Sequence, residues 1–262
     1  MRYLRFKEGE IDIDLIGLKF NSLSDDVIKQ LIEFIPLEEK AKILKVRKRK
    51  DLQNSLIGKL MVRTIISYEC KIPFDQTCIL HTEYGRPILK LDNPPDFNVS
   101  HSENWVLVGF SHTGRIGVDI ELIREIDPQT YPLYLNKREI DYVKETDSPS
   151  ISNELWSIKE SLIKLLGCGL SYAPDKMVID INLYRRGEIK IENFISSNFE
   201  FHLSKALPGY IMCVCKDKSF KTPLNIREMK QSNFVNTFLE WMTHNDSNTQ
   251  IMPNIKNWTT LV

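Results

Sequence analysis

Apolar residues in this sequence repeat at helical intervals, then at strand intervals, and then do both again, and this order limits the possible folds more than any other feature. Three- and four-residue intervals predict helices at residues 25–34 and from Leu52 to about Tyr68. A nearly continuous apolar run at 104–110 predicts a buried strand, and alternation at 115–121 predicts its hairpin partner. The first half of the chain therefore has the pattern of helices followed by strands.

The second half repeats that order. Helical spacing predicts a short helix at 137–144 and a longer one at 153–166, with Ser152 or Asn153 as its cap. Four short runs then predict a meander of strands at 178–183, 188–191, 199–203 and 210–215. Beyond residue 222 the sequence is polar, although four apolar residues would suit one docked helix: Phe234, Phe238, Leu239 and Trp241.

Helices then strands, twice over, predict an α+β protein of two packed halves rather than a doubly wound parallel sheet. A length of 262 residues is enough for two such units. We place an N-terminal α+β half at 1–115, a C-terminal α+β half at 116–222, and a tail at 223–262.

Charge and cysteine content narrow the class of protein. The 35 Lys and Arg residues balance 35 Asp and Glu residues, so no overall field attracts nucleic acid or an anionic membrane, and neither is an expected partner. The five cysteines lack C-x-x-C spacing, which favours a reducing cytosol. Charges interrupt the apolar residues at the N-terminus, so neither a signal peptide nor a membrane span is expected there, and we expect a cytoplasmic protein.

Two carboxylates on the predicted strand at 115–121 are candidates for a metal site. Asp119 and Glu121 stand two positions apart, so their side chains project from the same face. Magnesium is usually held by one or two carboxylates together with substrate phosphates. A solvent-exposed strand face is the simpler explanation for an isolated D-x-E pair.

The helix predicted at 153–166 adds a third carboxylate. Trp156, Glu160 and Lys164 share one face, and Lys159 is adjacent to it. Glu160 would complete a site with Asp119, and the two lysines would suit a pyrophosphate. An ordinary helix-stabilising pair between Glu160 and Lys164 is the alternative.

Two further features could contact phosphate. His101 stands just before the strand at 104–110, where its imidazole could donate to a phosphate oxygen, although a loop histidine is more often incidental. A basic run at 40–50 includes Lys40 and Lys42. This run could bind a phosphate-rich ligand, RNA or an acidic protein face, or it could be a solvated helix face.

Three ordered segments together resemble the signature of the Sfp-type, or surfactin-synthetase-activating, 4′-phosphopantetheinyl transferases. They are residues 97–102 (FNVSHS), 117–121 (GVDIE) and 156–164 (WSIKESLIK), the last followed by 167–170 (GCGL). The likeness extends to 83–87 (EYGRP) and to the helix around Gly58 and Arg63, and it covers roughly residues 25–215. It implies two similar α+β halves in a pseudo-twofold monomer, with coenzyme A and Mg²⁺, or Mn²⁺ in its place, in the cleft between them.

The resemblance also implies roles for individual residues. It assigns the metal ion to three carboxylates: Asp119, Glu121 and Glu160. It assigns the catalytic roles to Glu160, Lys164 and His101. It assigns contacts with coenzyme A to a wider set: Lys40, Lys42, Tyr84, Gly85, Arg86, Pro87, Ser100, His101, Lys159 and Lys164. At the 3′-phosphate site, the family's lysine upstream of Lys42 falls on Glu39 here, and Lys40 stands one position late.

The reaction that the resemblance implies is a phosphoryl transfer. A serine of an apo carrier protein attacks the β-phosphate of coenzyme A, 3′,5′-ADP leaves, and Glu160 is the candidate base, directly or through a metal-bound water. The carrier would be a peptidyl, acyl or aryl carrier domain of a peptide synthetase, polyketide synthase or fatty-acid synthase. The residues alone leave two other classes open: a magnesium-dependent nucleotide phosphohydrolase that uses the same carboxylates, and a nucleic-acid-binding protein built on the run at 40–50.

Overall fold

The computed structural model describes residues 13–192, 199–217, 224–244, 251–253 and 259–261. Its α-helices, in chain order, are α1 (Asp25–Ile32), α2 (Leu37–Ile43), α3 (Arg49–Cys70), α4 (Lys137–Thr146), α5 (Pro149–Leu166), α6 (Ile181–Tyr184) and α7 (Gln231–His244). Its strands are β1 (Ile13–Lys19), β2 (Ile79–His81), β3 (Pro87–Leu89), β4 (Asp96–Ser102), β5 (Trp105–Ser111), β6 (Ile116–Leu122), β7 (Phe199–Ser204), β8 (Tyr210–Asp217), β9 (Leu224–Lys230) and β10 (Thr259–Leu261).

A five-stranded sheet in the order β10-β9-β1-β5-β4 forms the first half. Strand β5 lies antiparallel to β1 and β4 and is buried along its whole length, as its apolar run predicts. Strand β9, from the polar tail, pairs parallel to β1, and the sequence pattern does not predict this pairing. Helix α7 then buries Phe234 and Phe238 in the same core, which confirms the predicted tail helix.

Helix α3 packs against β4 and β5 and supplies much of the first core. Leu56, Ile57 and Leu60 are completely buried, which confirms the long amphipathic helix. The basic run at 40–50 contributes the end of α2 and the first residues of α3.

The second half is a three-stranded antiparallel sheet, β6-β8-β7, covered by α5. Helix α4 begins at Asn136 with reciprocal side-chain to backbone hydrogen bonds between Asn136 and Glu139, as a capping box. Helix α5 begins at Pro149 rather than at residue 153, so neither Ser152 nor Asn153 is its cap. Proline suits the first helical turn because its missing N–H would have no partner there.

The predicted four-strand meander is wrong in its first two strands. Residues 181–184 form α6, because the Asp180 carboxylate accepts hydrogen bonds from the N–H groups of Asn182 and Leu183 and starts a helical turn. Ile179 and Ile191 form only an isolated β-bridge. The last two predicted strands are confirmed as β7 and β8.

The close approach of β6 to α5 requires a glycine. A Cβ atom at Gly117 would lie 1.9 Å from the carbonyl oxygen of Ser161, so no larger residue fits.

The helices and sheets of the described residues form two halves, which confirms the α+β prediction. None of the helices in the described ranges is long and apolar enough to cross a membrane.

Candidate active site

The free edge of β6 is bound by side chains of β4 rather than by another strand. Alternate side chains of β4 accept hydrogen bonds from alternate N–H groups of β6, at 2.8 to 3.3 Å. The pairs are Asp96 with Ile116, Asn98 with Val118, Ser100 with Ile120, and Ser102 with Leu122. Because both strands have a side-chain period of two, the contacts stay in register. They join the two halves and fix the carboxylates of β6 beside β4.

Asp119 lies at this joint and is almost completely buried. Its Oδ1 accepts hydrogen bonds from Ser100 Oγ at 3.0 Å and from Lys164 Nζ at 2.7 Å, and Lys164 also donates to Ser100 Oγ at 2.8 Å. Its Oδ2 is buried and has no hydrogen-bond partner among the described residues. An unpaired, buried carboxylate oxygen is costly, so this atom is a good candidate ligand for a cation.

Glu121, two residues along β6, is half-buried and is held from both sides. Its Oε1 accepts from Trp156 Nε1 at 3.0 Å, and its Oε2 accepts from Ser102 Oγ at 3.3 Å. Burial raises the pKa of Glu121, and the charge of Asp119 raises it further, against the hydrogen bond from Trp156. A bound cation would relieve both of these unfavourable effects.

Glu160 projects toward the same joint from α5. Burial raises the pKa of its carboxyl group; the charge of Lys164 opposes this shift, and the charge of Asp119 adds to it. The three predicted carboxylates are therefore brought together from β6 and α5, close enough for Asp119 to act electrostatically on both glutamates.

These carboxylates do not yet form a closed metal cage. Within the described ranges, no three His, Cys, Asp or Glu side chains converge closely enough to hold a metal ion. The Lys164 ammonium lies beside Asp119 and neutralises it. The donor set nevertheless fits Mg²⁺, because it consists of carboxylate oxygens and includes the unpaired Oδ2 of Asp119.

A cleft leads away from the carboxylates as two adjoining cavities of about 260 Å³ each. Pro87 and Val99 line both cavities. The nearer cavity, beside the carboxylates, is lined by Tyr84, Gly85, Arg86, Pro87, Asn98, Val99, Glu160, Ile163, Lys164, Gly167 and Gly169. The farther cavity lies between α2, α3 and β4, and its polar residues include Glu39, Asn54, Lys59, Arg63, His81 and His101.

His101 lies on the opposite face of β4 from Ser100, at the edge of the farther cavity, and is exposed. Desolvation by its neighbours lowers the pKa of its imidazole, and the charge of Lys164 lowers it further. His101 is therefore neutral at pH 7 and keeps one N–H that can donate to an anionic ligand.

Arg86, one of the predicted contacts with coenzyme A, lines the nearer cavity and is buried at the joint. Its guanidinium donates to Asp96 Oδ2 at 2.5 Å, to the carbonyl of Ile116 at 3.0 Å and to the carbonyl of Lys164. Gly167 leaves room for it, since a Cβ there would lie 2.7 Å from Arg86 Cδ. Arg86 thus binds β6 and the end of α5 together, and its guanidinium is paired with Asp96.

Lys159 is also not exposed to the cleft. Its side chain is completely buried, and its ammonium donates to Glu139 Oε2 at 2.6 Å and to the carbonyl of Tyr134 at 2.8 Å. Desolvation lowers the pKa of Lys159, and its pairing with Glu139 opposes that shift. Of the two motif lysines, the structure brings only Lys164 to the carboxylates.

The basic residues of α2 divide into two environments. Lys40 forms an ion pair with Glu33, at 2.7 Å between Nζ and Oε1, and does not line the cleft. Lys42 is exposed and is close enough for its charge to lower the pKa of His81 in the farther cavity. Glu39 is buried beside Lys59 and Arg63.

Sequence reasoning missed the structural role of β4 in this site. Asp96, Asn98 and Ser100 alternate with the apolar Phe97 and Val99, and that period could have indicated a strand with one polar face bound inside the protein. Lys59 carries no motif signal in the sequence.

The chain is similar to known proteins along most of its described length. Residues 22–113 match the family model described as 4′-phosphopantetheinyl transferase, N-terminal, and residues 115–215 match the model of the 4′-phosphopantetheinyl transferase superfamily. The chain is 33% identical over 196 residues to 4′-phosphopantetheinyl transferase psf-1 from Bacillus pumilus, covering 73% of this chain and 82% of that protein. It is 29% identical over 198 residues to 4′-phosphopantetheinyl transferase Sfp from Bacillus subtilis (strain 168), covering 74% and 87%, and 28% identical over 229 residues to 4′-phosphopantetheinyl transferase gsp from Aneurinibacillus migulanus, covering 84% and 89%.

Proposed function

This chain belongs to the 4′-phosphopantetheinyl transferase superfamily and to its Sfp-type family, and we propose that coenzyme A is its donor, Mg²⁺ its metal ion and 3′,5′-ADP its second product. The family identifies an enzyme that transfers phosphopantetheine to carrier proteins. The proposal of coenzyme A and Mg²⁺ rests on the joint between the two halves, where three carboxylates lie beside a cleft of two cavities. One buried carboxylate oxygen there, Oδ2 of Asp119, has no partner among the described residues.

The proposed transfer moves one phosphoryl group between two oxygens. The Oγ atom of the carrier serine forms a bond to the β-phosphorus of coenzyme A, and the bond from that phosphorus to the bridging oxygen of the pyrophosphate breaks. The bridging oxygen leaves with 3′,5′-ADP, and the serine proton passes to a base. No oxidant or reductant is required.

Asp119, Glu121 and Glu160 are the residues that would hold Mg²⁺. When bound there, Mg²⁺ supplies positive charge to the pyrophosphate oxygens. Trp156 and Ser102 fix the carboxylate of Glu121 by their hydrogen bonds, so Glu121 needs little reorganisation to act as a ligand.

Lys164, His101 and Glu160 have separate tasks in this proposal. Lys164 lies between Asp119 and the nearer cavity and donates charge-assisted hydrogen bonds to the phosphates. His101 donates its one N–H from the neighbouring cavity. Glu160 accepts the serine proton, since it is the one of the three carboxylates that lines the nearer cavity.

The natural carrier, the oligomeric state and the location are part of the same proposal. We infer a peptidyl, acyl or aryl carrier domain of a peptide synthetase, polyketide synthase or fatty-acid synthase as acceptor, and a monomer that works in the cytosol. All five cysteines are free thiols in the structure, which agrees with a reducing compartment.

Substitution of the carboxylates tests the site. We expect Asp119→Asn and Glu160→Gln each to lower the turnover of carrier modification by about 100-fold or more, because each removes a charge that acts on the transferring phosphate. Glu125→Gln is the matched control, since Glu125 is an exposed carboxylate that follows β6. Circular dichroism melting curves would show that each variant is folded. Wild-type turnover in a folded Asp119→Asn variant would contradict the assignment.

A further inference from the structure

The farther cavity contains a buried carboxylate held by two cations. Glu39 of α2 accepts from Lys59 at 2.7 Å and from Arg63 at 2.5 Å. Burial raises the pKa of Glu39, but the hydrogen bond from Lys59 and the charges of Arg63 and Lys59 outweigh it and hold the pKa below its usual value. Glu39 is therefore a carboxylate at pH 7, and this cluster carries a surplus of one positive charge.

The surplus charge is directed at the cavity. Lys59 and Arg63 both line the cavity, and they stand four residues apart on one face of α3. Desolvation lowers the pKa of His81 in the same cavity, and the charges of Lys59, Lys42 and Arg63 lower it further against the opposing charge of Glu39. His81 is neutral at pH 7, so the lysines and the arginine define the local potential.

The two cations differ in their freedom to reach a ligand. The side chain of Arg63 is only 3% exposed, whereas that of Lys59 is 26% exposed and can rotate about a flexible stem. If Lys59 turns toward an anion in the cavity, Glu39 keeps Arg63 as its partner, so no buried charge is left alone. Lys59 lines this cavity, whereas Lys40 does not and pairs with the exposed Glu33.

This arrangement differs at Glu39 from the pattern that the resemblance implies. That pattern has a lysine at the position of Glu39, on the same helix as Lys42. Here that position is an anion, and α3 supplies a cation directly against it. The cluster of Glu39, Lys59 and Arg63 thus has a surplus of one positive charge, although α2 carries an anion at this position.

We propose that Lys59, together with Lys42, binds the 3′-phosphate of coenzyme A, and that Glu39 is the internal counter-ion that holds Lys59 in place until the phosphate arrives. This assignment rests on the proposed function, because it takes coenzyme A as the ligand of the cleft. It makes Lys59 a residue that determines the preference for a 3′-phosphorylated donor.

Calorimetric titration with coenzyme A and with 3′-dephospho-coenzyme A separates this phosphate from the rest of the ligand. We expect Lys59→Gln to weaken the binding of coenzyme A by about tenfold or more, the usual effect of losing a charged hydrogen bond, while the affinity for 3′-dephospho-coenzyme A stays within about twofold. Lys29→Gln is the charge-matched control, since Lys29 is highly exposed on α1 and pairs only weakly with Asp26, and we expect no change in either affinity.

Exchanging the charges of Glu39 and Lys59 tests whether their pairing carries the preference for the 3′-phosphate. We expect Lys59→Glu alone to remove the preference for coenzyme A, and the double variant Glu39→Lys with Lys59→Glu to restore most of it, because a cation and an anion again face the cavity. Melting curves of both variants establish that they fold.

The possible failures are distinguishable. Equal weakening of both ligands by Lys59→Gln, or a selective loss on Lys40→Gln in its place, would overturn the role of Lys59 and leave the proposed function intact. Absence of binding of either ligand to the folded wild-type protein would overturn the proposed function and this assignment together.

Discussion

Replacing Lys159 with methionine should unfold the protein more readily and leave its cleft unchanged. The Lys159 and Glu139 side chains are both completely buried, and their atoms lie 2.6 Å apart. Methionine fills a similar volume but leaves the Glu139 carboxylate without its cation. Breaking a buried pair in this way typically costs about 3–5 kcal/mol of the free energy of unfolding. For a chain of this size, that corresponds to a fall of roughly 6–20 °C in the melting temperature.

Differential scanning calorimetry and coenzyme A titration should be carried out on Lys159→Met and on Lys164→Met as its comparison. Both changes replace a lysine of α5 with methionine, but the Lys164 side chain is 24% exposed and lies beside the cleft. We expect Lys164→Met to lower the affinity for coenzyme A; it also leaves the buried carboxylate of Asp119 without its cation, so its melting curve establishes the temperature at which it is folded. Lys159→Met should bind coenzyme A with wild-type affinity at a temperature where it is folded.

A second change on the Lys159→Met background tests the cause of its instability. Glu139→Gln removes the buried charge and keeps an acceptor for the backbone N–H of Ile179 or Asn136. The double variant should therefore be more stable than Lys159→Met alone. The reasoning is refuted if Lys159→Met melts like the wild type, or if it loses coenzyme A affinity while fully folded.

Two further predictions concern the carboxylates. Burial raises the pKa values of Glu121 and Glu160 above 4.5, so the metal-free protein should lose stability as pH rises from 4.5 through these raised values. Mg²⁺ should therefore raise the melting temperature more at pH 8 than at pH 5. A Mg²⁺ effect independent of pH would contradict this. Trp156→Phe removes the hydrogen bond to Glu121 but keeps an aromatic ring. We expect Mg²⁺ affinity to fall by about 10-fold, the usual effect of losing a residue that hydrogen-bonds to a metal ligand. An unchanged Mg²⁺ affinity in titrations would refute the positioning role of Trp156.

The order of local patterns predicted much of the fold. Helix α3, strand β5 and helix α5 each bury an apolar face whose period is visible in the sequence, so their existence follows from local spacing. Strand β9 could not be predicted in this way, because its pairing with β1 joins residues about two hundred positions apart. The short segments at 178–191 failed because a single capping carboxylate, Asp180, decides between a strand and a helical turn.

In the candidate site, too, local sequence patterns predict the positions of some residues and not those of others. Asp119 and Glu121 lie where the strand period places them, and Glu160 faces them from α5. Lys159 and Arg86 carry the charge that a phosphate-binding residue needs, but each is paired with an acid that only the tertiary structure identifies, Glu139 for Lys159 and Asp96 for Arg86. The charge of a residue is visible in a sequence, whereas its counter-ion is not.

The most direct test of the central claim is the intact mass of an apo carrier protein after incubation with this protein, coenzyme A and Mg²⁺. The account predicts a gain of one phosphopantetheine group on the carrier, lost when EDTA is added and restored by excess Mg²⁺. An unmodified mass for peptidyl, acyl and aryl carrier proteins, from a folded protein that binds coenzyme A, would contradict it.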